Sequence, residues 1–246
     1  MIAINKTMAA TSNEFRVMTS GAFAAAYLAL TVQLERLTKK KIVTASSSLG
    51  TGENTLPKRL KRGEVVDLVI VADNLLRQLI DDGLVLAEGY APVARSVIGM
   101  AVRAGAPKPD ISSVDALRSA LLQAKSIGYS PSVSGQYLTT ELLQRLGIAN
   151  QVLSKCRLVG GGVGVVVARG EVEIAVQQMS ELLPVPGLAH ITPLPPEVQI
   201  VSVFSAGVAA SCTDAALTRS VIEFLTSPEA INAVMKSGLE PFCGVD

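Results

Sequence analysis

Short blocks of apolar residues recur along the whole chain and are separated by longer amphipathic stretches. The block Val66–Ala72 is rich in β-branched residues, as expected for a strand that is buried on both faces. Stretches such as Ala22–Leu37 instead carry apolar residues at helical spacing. Repeated alternation of strand and helix predicts an α/β protein built from right-handed βαβ units.

Composition excludes several classes of function. Charged residues make up 17% of the 246 residues and the net charge is +1, which does not suit nucleic-acid binding. No apolar window reaches the ~18 residues that a membrane span needs. Cys156, Cys212 and Cys243 form no CxxC pair, so we expect free thiols, no metal site and no cofactor.

The first residues of the chain predict where it works. Met1–Glu14 has one lysine and no apolar core of a secretory signal, which predicts a cytoplasmic protein. A periplasmic protein is the alternative, if the sequence is a processed mature form.

Two further motifs are weak. Gly160–Gly164 lacks the order of a dinucleotide-binding loop. His190, the only histidine, is predicted to lie in a loop without a nucleophile motif nearby.

Clusters of serine and glycine fall where predicted strands end and helices begin. They are Ser20–Gly21, Ser46–Thr51 and Ser130–Gly135. Ligands of open parallel sheets bind at the carboxyl ends of strands, where helix N-termini offer unpaired N–H groups to anions. The clusters therefore predict an anion site, and the alternative is that each serine only caps its helix.

Other polar residues could complete such a site. Arg95 begins a predicted strand that crosses between two regions, and its guanidinium could pair with a carboxylate. The alternative is a solvated surface arginine, which we favour for Arg103. Gln177, Gln178, Ser180 and Glu181 follow a buried strand, where polar side chains need partners or a ligand.

The order of these pieces resembles a known family. The residues that carry the resemblance are Thr19–Phe23, Leu56–Leu60, Gly63–Glu64, Asp67–Val69, Val102–Pro107, Tyr129–Ser130, Ala168–Glu171 and Phe224–Ala230. Together they resemble bacterial extracellular solute-binding proteins of the molybdate-binding-like type, which have the type II periplasmic-binding fold. The resemblance implies two lobes, each a mainly parallel sheet flanked by helices, with a ligand cleft between them.

The same resemblance implies boundaries, ligand contacts and partners. Residues 1–94 plus 199–246 would form one lobe and residues 95–198 the other. Membrane subunits of an ABC transporter would be partners of an exported form. The implied ligand contacts, together with Arg95, are Ser20, Gly21, Ser48, Ser130, Ser132, Ser134, Val163 and Gln178.

The identity of the ligand is narrowed by one departure from the family pattern. Molybdate binders typically present a tyrosine where this chain has Gln178, which disfavours molybdate itself. We expect a small anion, either an organic di- or tricarboxylate, which Arg95 would suit better, or an oxyanion. A ligand-sensing relative would need an interaction or DNA-binding extension, and none is visible.

One similar branch of the family is an enzyme, aconitate isomerase, which interconverts cis- and trans-aconitate. Its reaction needs a base that removes an allylic proton, and Glu181 or Tyr129 could serve. Binding of a small anion is therefore the first hypothesis and isomerisation of an unsaturated polycarboxylate is the second.

Overall fold

The computed structural model describes residues 13–45, 52–160 and 162–242, in which strands alternate with helices. The strands are β1 (Glu14–Thr19), β2 (Lys41–Thr44), β3 (Leu68–Ala72), β4 (Ala91–Arg103), β5 (Ile127–Tyr129), β6 (Cys156–Leu158), β7 (Ile174–Gln178), β8 (Leu188–Pro193), β9 (Val201–Val208) and β10 (Glu240–Pro241). The helices are α1 (Gly21–Ala29), α2 (Thr31–Thr38), α3 (Leu56–Lys61), α4 (Asp73–Asp81), α5 (Val114–Gln123), α6 (Val133–Tyr137), α7 (Leu143–Arg145), α8 (Ala149–Val152), α9 (Val163–Ala168), α10 (Met179–Leu182), α11 (Ala215–Leu225) and α12 (Pro228–Lys236). A π-helical turn, Leu138–Leu142, joins α6 to α7.

Two sets of parallel strands form the sheet. In one set β1 lies between β2 and β3, and in the other β5 lies between β6 and β7. Antiparallel strands complete both sets, because β9 pairs with β3 and with β4, and β4 also pairs with β7 and β8. The α/β class is therefore as predicted, with mixed rather than purely parallel sheets.

Strand β4 connects the two sets. It is 13 residues long, and it pairs with β9 as far as Val97 and with β7 from Ile98 onward. The side chain of Gln199 fixes this point, since its Oε1 accepts from Ile98 N at 2.9 Å and its Nε2 donates to Ile98 O at 2.8 Å. The sequence predicted only Val97–Val102 of this strand, because the prolines and the arginine before it do not form an apolar block.

The buried apolar side chains divide at the same point. Two clusters draw on residues 15–94 and 204–239, and two others draw on residues 98–198. Val133, at the start of α6, is half-buried against the first of these clusters although it belongs to the other range. The lobe boundaries at 94/95 and 198/199 remain a prediction.

Several local predictions need correction. The helix predicted over Ala22–Leu37 is divided at Leu30, where the Thr31 hydroxyl donates to Leu28 O at 2.9 Å and so competes with the helical pattern. His190 lies in β8 rather than in a loop, with a φ of 52°. Strand β8 was not predicted, since its half-buried residues show no strict alternation. No helix in the described ranges is long and apolar enough to cross a membrane.

Candidate functional site

Ser20 begins α1 without capping it. Its backbone N–H donates to Ile70 O at 2.8 Å, so the residue still belongs to the edge where β1 ends. The side chain is 4% exposed, and its hydroxyl has no hydrogen-bond partner. A buried hydroxyl at a helix start, aligned with the positive end of the helix dipole, is suited to a negative ligand.

Ser132 begins α6, and its hydroxyl also leaves the helix uncapped. It contacts other serines instead: Ser130 Oγ lies 2.9 Å away and Ser134 Oγ lies 3.1 Å away. Elsewhere in the chain, Ser113 does cap its helix, by accepting from Ala116 N at 3.2 Å. Neither the Ser20 nor the Ser132 hydroxyl therefore makes a capping hydrogen bond to its helix.

Ser130, Ser132 and Ser134, which we call the serine turn, carry one more hydroxyl hydrogen than the contacts between them use. Three hydroxyls carry three hydrogens, and the two contacts between them use two. Gln177 Nε2 approaches Ser130 Oγ at 3.4 Å and supplies a further donor. The serine turn can therefore donate one hydroxyl hydrogen bond to a ligand and keep its own contacts.

Gly135 allows this turn to form. A Cβ atom at Gly135 would overlap the backbone carbonyl oxygen of Ser130, and it would also crowd the ring of Tyr129 at 2.9 Å. The start of α6 is thus packed directly on the chain that carries the serines.

Glu181 lies against the first residue of α1. A Cβ atom at Gly21 would overlap Glu181 Oε1, so the carboxylate lies directly on the Gly21 backbone. Gly21 itself remains exposed, so a solute can reach the start of α1. Burial raises the pKa of the Glu181 carboxyl to about 7, although a hydrogen bond from Gln177 opposes the change.

Buried polar atoms without partners concentrate here. Gln177 and Gln178 are each 2% exposed, and the Oε1 atom of each accepts no hydrogen bond. Ser180, fully buried beside Glu181, also has an unpartnered hydroxyl, and in the part of the chain that the structure describes the two other such atoms are the hydroxyls of Ser20 and Ser227. An unpaired buried polar atom costs about 1–3 kcal/mol, so this concentration indicates a place where water or a ligand binds.

A cavity of about 600 Å³ adjoins the serine turn. One wall includes Asn74 and Gln78 of α4, and the other includes Tyr129, Ser130 and Ser132. No lysine, arginine or histidine is found among the described residues that line it. An anion in this cavity would therefore have to be held by neutral donors.

The predicted site residues form two groups of contacts. Ser130 and Ser132 line the cavity, Ser134 adjoins them, and Gln177 Nε2 approaches Ser130 Oγ at 3.4 Å. Glu181 lies on Gly21 at the start of α1.

The remaining predicted residues lie as follows. Gln178 Nε2 donates to Ser202 Oγ at 2.8 Å, and Val163 is buried at the start of α9. Arg95 reaches Glu240 at 3.4 Å and lies 4.5 Å from the centre of the Phe242 ring, so its guanidinium is engaged within the protein. Ser48 lies outside the described residues.

The α4 side of the cavity was not predicted. Asp73 and Asn74 come directly after the strand β3 and begin α4, but the helix was predicted to begin only at Leu75. Polar residues directly after a buried strand were therefore the available signal.

The possible metal ligands and the thiols lie as follows. Within the described ranges, no three histidine, cysteine, aspartate or glutamate side chains gather as a metal site requires. Cys156 and Cys212 are free thiols, and Cys243 lies outside the described residues.

We predict that Gly135→Ala lowers the free energy of unfolding by about 1–3 kcal/mol, because the new methyl group displaces the Ser130 backbone. Gly21→Ala should cost less, because only the end of the Glu181 side chain must move. Urea unfolding of both variants tests this. Alanine normally favours a helix over glycine, so an unchanged or higher stability of Gly135→Ala would contradict the packing described.

Comparisons with known proteins agree with this fold. A family model described as bacterial extracellular solute-binding protein matches residues 15–240. An aconitate isomerase from Pseudomonas sp is 34% identical over 227 residues, which are 92% of this chain and 87% of that protein.

Solved structures give the fold. The periplasmic molybdate-binding protein of Azotobacter vinelandii has a TM-score of 0.72 at 16% identity, covering 92% of this chain and 98% of that one. A tungstate ABC transporter structure from Geobacter sulfurreducens has a TM-score of 0.67 at 15% identity, covering 91% and 98%. The predicted type II periplasmic-binding fold is confirmed. By its family model and its 34% identical relative, the chain belongs to the bacterial extracellular solute-binding proteins.

Proposed function

We propose that this protein binds a small organic di- or tricarboxylate between the start of α1 and the serine turn Ser130–Ser134. The observation that carries the proposal is that Ser20 and Ser132 begin helices without capping them. Their hydroxyls, with the N–H groups of the helix starts, offer donors from two separate parts of the chain.

The cavity supports an organic acid over a bare oxyanion. A volume of about 600 Å³ falls within the usual ~300–1,000 Å³ range of small-molecule sites and exceeds what a tetrahedral oxyanion fills. Its walls combine neutral donors with apolar side chains such as Leu75 and Val133. A carbon skeleton bearing carboxylates matches both kinds of surface.

We further propose that the two lobes predicted from the sequence, residues 1–94 plus 199–246 and residues 95–198, close on this ligand. The separate apolar clusters and the crossing of β4 at Val97–Ile98 support a hinge there. The extracellular description of the family favours a periplasmic protein over a cytoplasmic one. Membrane subunits of an ABC transporter are then the proposed partners.

The serine hydroxyls provide the test. A hydrogen bond to a charged group contributes about 1.5–3 kcal/mol, so Ser20→Ala and Ser132→Ala should each weaken binding about ten- to a hundredfold. The ligand is first chosen by a thermal-shift panel of citrate, cis- and trans-aconitate, tricarballylate, molybdate and tungstate. Calorimetry of each variant then gives the affinity.

Ser113→Ala is the matched control, since Ser113 does cap its helix. This variant should lose about 1 kcal/mol of stability and keep its affinity for the ligand. The two site variants should instead keep their stability and lose affinity. Site variants that melt earlier but bind normally would show that Ser20 and Ser132 serve the fold only.

A second candidate function is isomerisation of an unsaturated tricarboxylate. The observation that favours it is a carboxylate, Glu181, with a pKa near neutrality beside the proposed anion site. The similarity to the Pseudomonas aconitate isomerase supports the same candidate.

The isomerisation needs a single base, because the proton that is removed from one carbon is returned to another. Ionised Glu181 would take a proton from the CH₂ group of cis-aconitate, and the electron pair of that C–H bond would enter the allylic system. The proton would then return to the carbon at the other end, which moves the double bond and gives the trans isomer. Donors from the helix starts would stabilise the charge that develops on the carboxylates.

We predict that Glu181→Gln reduces this conversion at least ~10²-fold and changes the affinity little. Proton NMR of cis-aconitate mixed with the protein follows the reaction, and calorimetry gives the affinity. Tyr129, the other candidate base, lines the cavity, so Tyr129→Phe separates the two candidates and should keep most of the rate. Full activity of Glu181→Gln would contradict the role of Glu181 as the base. If the unaltered protein does not convert cis-aconitate, isomerisation is excluded and only the binding function remains proposed.

A further inference from the structure

Helix α4 presents two side-chain amides to the cavity beside the serine turn. Asn74 and Gln78 both line this cavity, and they are one helical turn apart on the same face of α4. Both residues are exposed, so a solute can reach them. Neither amide is hydrogen-bonded to another residue in the part of the chain that the structure describes. Each amide nitrogen therefore has two hydrogens to donate to a ligand.

The start of α4 lies next to the start of α1. The N–H of Ser20 donates to Ile70 O at 2.8 Å, which joins the end of β1 to β3, and Asn74 belongs to the first turn of the helix after β3. Neighbouring strands are about 4.8 Å apart, so the Ser20 hydroxyl and the Asn74 amide occupy adjacent places at one edge of the sheet. Two carboxylates on one short carbon chain suit this arrangement.

The negative charge of Asp73, directly before Asn74, is engaged within the protein. Its Oδ1 accepts from Tyr90 OH at 2.6 Å and from Ser205 Oγ at 2.7 Å. Its Oδ2 accepts from Arg77 Nε at 2.7 Å. The ion pair with Arg77 offsets the charge, so Asp73 does not keep an anion away from Asn74.

The same bonds fix the position of α4. Ser205 lies on β9 and is fully buried, and its hydroxyl holds the first residue of the helix against the sheet. The wall that carries Asn74 and Gln78 is thus in place before any ligand arrives, which lowers the entropic cost of binding.

We propose that Asn74 and Gln78 form a subsite for a second carboxylate of the ligand, so that the protein selects di- and tricarboxylates over monocarboxylates and inorganic oxyanions. This rests on the proposed function, in which Ser20 and the serine turn hold the first carboxylate. The cavity of about 600 Å³ then receives the carbon chain that joins the two carboxylates.

Calorimetry with two probes tests the subsite: trans-aconitate, and crotonate, a monocarboxylate that keeps the double bond. Asn74→Leu and Gln78→Met nearly keep the side-chain volume and lose the amide. Each variant should weaken trans-aconitate binding about tenfold or more, because a hydrogen bond to a charged group is lost. Crotonate binding should stay the same in both variants, since crotonate has no second carboxylate.

Asn74→Asp extends the test, because it places a negative charge where the second carboxylate is proposed to bind. This variant should weaken trans-aconitate binding more than Asn74→Leu does. Thermal melting of each variant should match the unaltered protein, because both positions are exposed.

Two further variants serve as controls. Ser132→Ala removes a donor to the first carboxylate, so it should weaken both probes by a similar factor. Asn150→Leu changes an exposed asparagine that is likewise the second residue of its helix, α8, but does not line this cavity. It should leave the affinity for both probes unchanged.

The outcomes separate the subsite from the proposed function. If Ser132→Ala weakens trans-aconitate binding while Asn74→Leu and Gln78→Met do not, the subsite is overturned and the proposed function stands. An equal loss for both probes in Asn74→Leu would also overturn the subsite. If no polycarboxylate of the thermal-shift panel binds, the proposed function fails and the subsite with it.

Discussion

The structure depends on a single strand that belongs to two sheets. Strand β4 pairs with β9 up to Val97 and with β7 from Ile98. At that point Gln199 Oε1 accepts from Ile98 N, while Ile98 O accepts from both Gln199 Nε2 and Leu194 N. Because buried backbone polar groups must be paired, Gln199 lets the chain change partners without leaving the Ile98 N–H unsatisfied. The apolar clusters on the two sides of this point can therefore form separately, with a cavity between residues of the two ranges.

The site is incomplete as a purely structural arrangement. Ser20, Gln177, Gln178 and Ser180 each bury a polar atom with no partner in the protein. At about 1–3 kcal/mol each, four such atoms would cost an amount comparable with the ~5–15 kcal/mol net stability of a folded domain. Solvent or a ligand must therefore offset this cost. Because these unpartnered atoms belong to polar residues at strand ends, such residues were the most informative feature of the sequence.

The sequence predicted the general arrangement well, and the reasons are local. Helix starts after strands are specified by Ser-Gly pairs and by β-branched blocks, so β1, β3, β5 and the helices after them could be predicted from neighbouring residues. Strand β8 and the first half of β4 could not, because pairing with distant strands, rather than their own pattern, makes them strands. Arg95 shows the same limit: its contacts with Glu240 and Phe242, far along the chain, could not be predicted from its neighbours, and its contact with a ligand remains a prediction.

A crystal structure grown with trans-aconitate tests the central claim most directly, namely that Ser20 and the serine turn hold one anion between them. We expect carboxylate oxygens of the ligand to lie within hydrogen-bond distance of Ser20 Oγ and of a hydroxyl of Ser130, Ser132 or Ser134. Density confined to another cavity, such as that between Lys108 and Glu173, with both sets of serines still without a ligand, would contradict it.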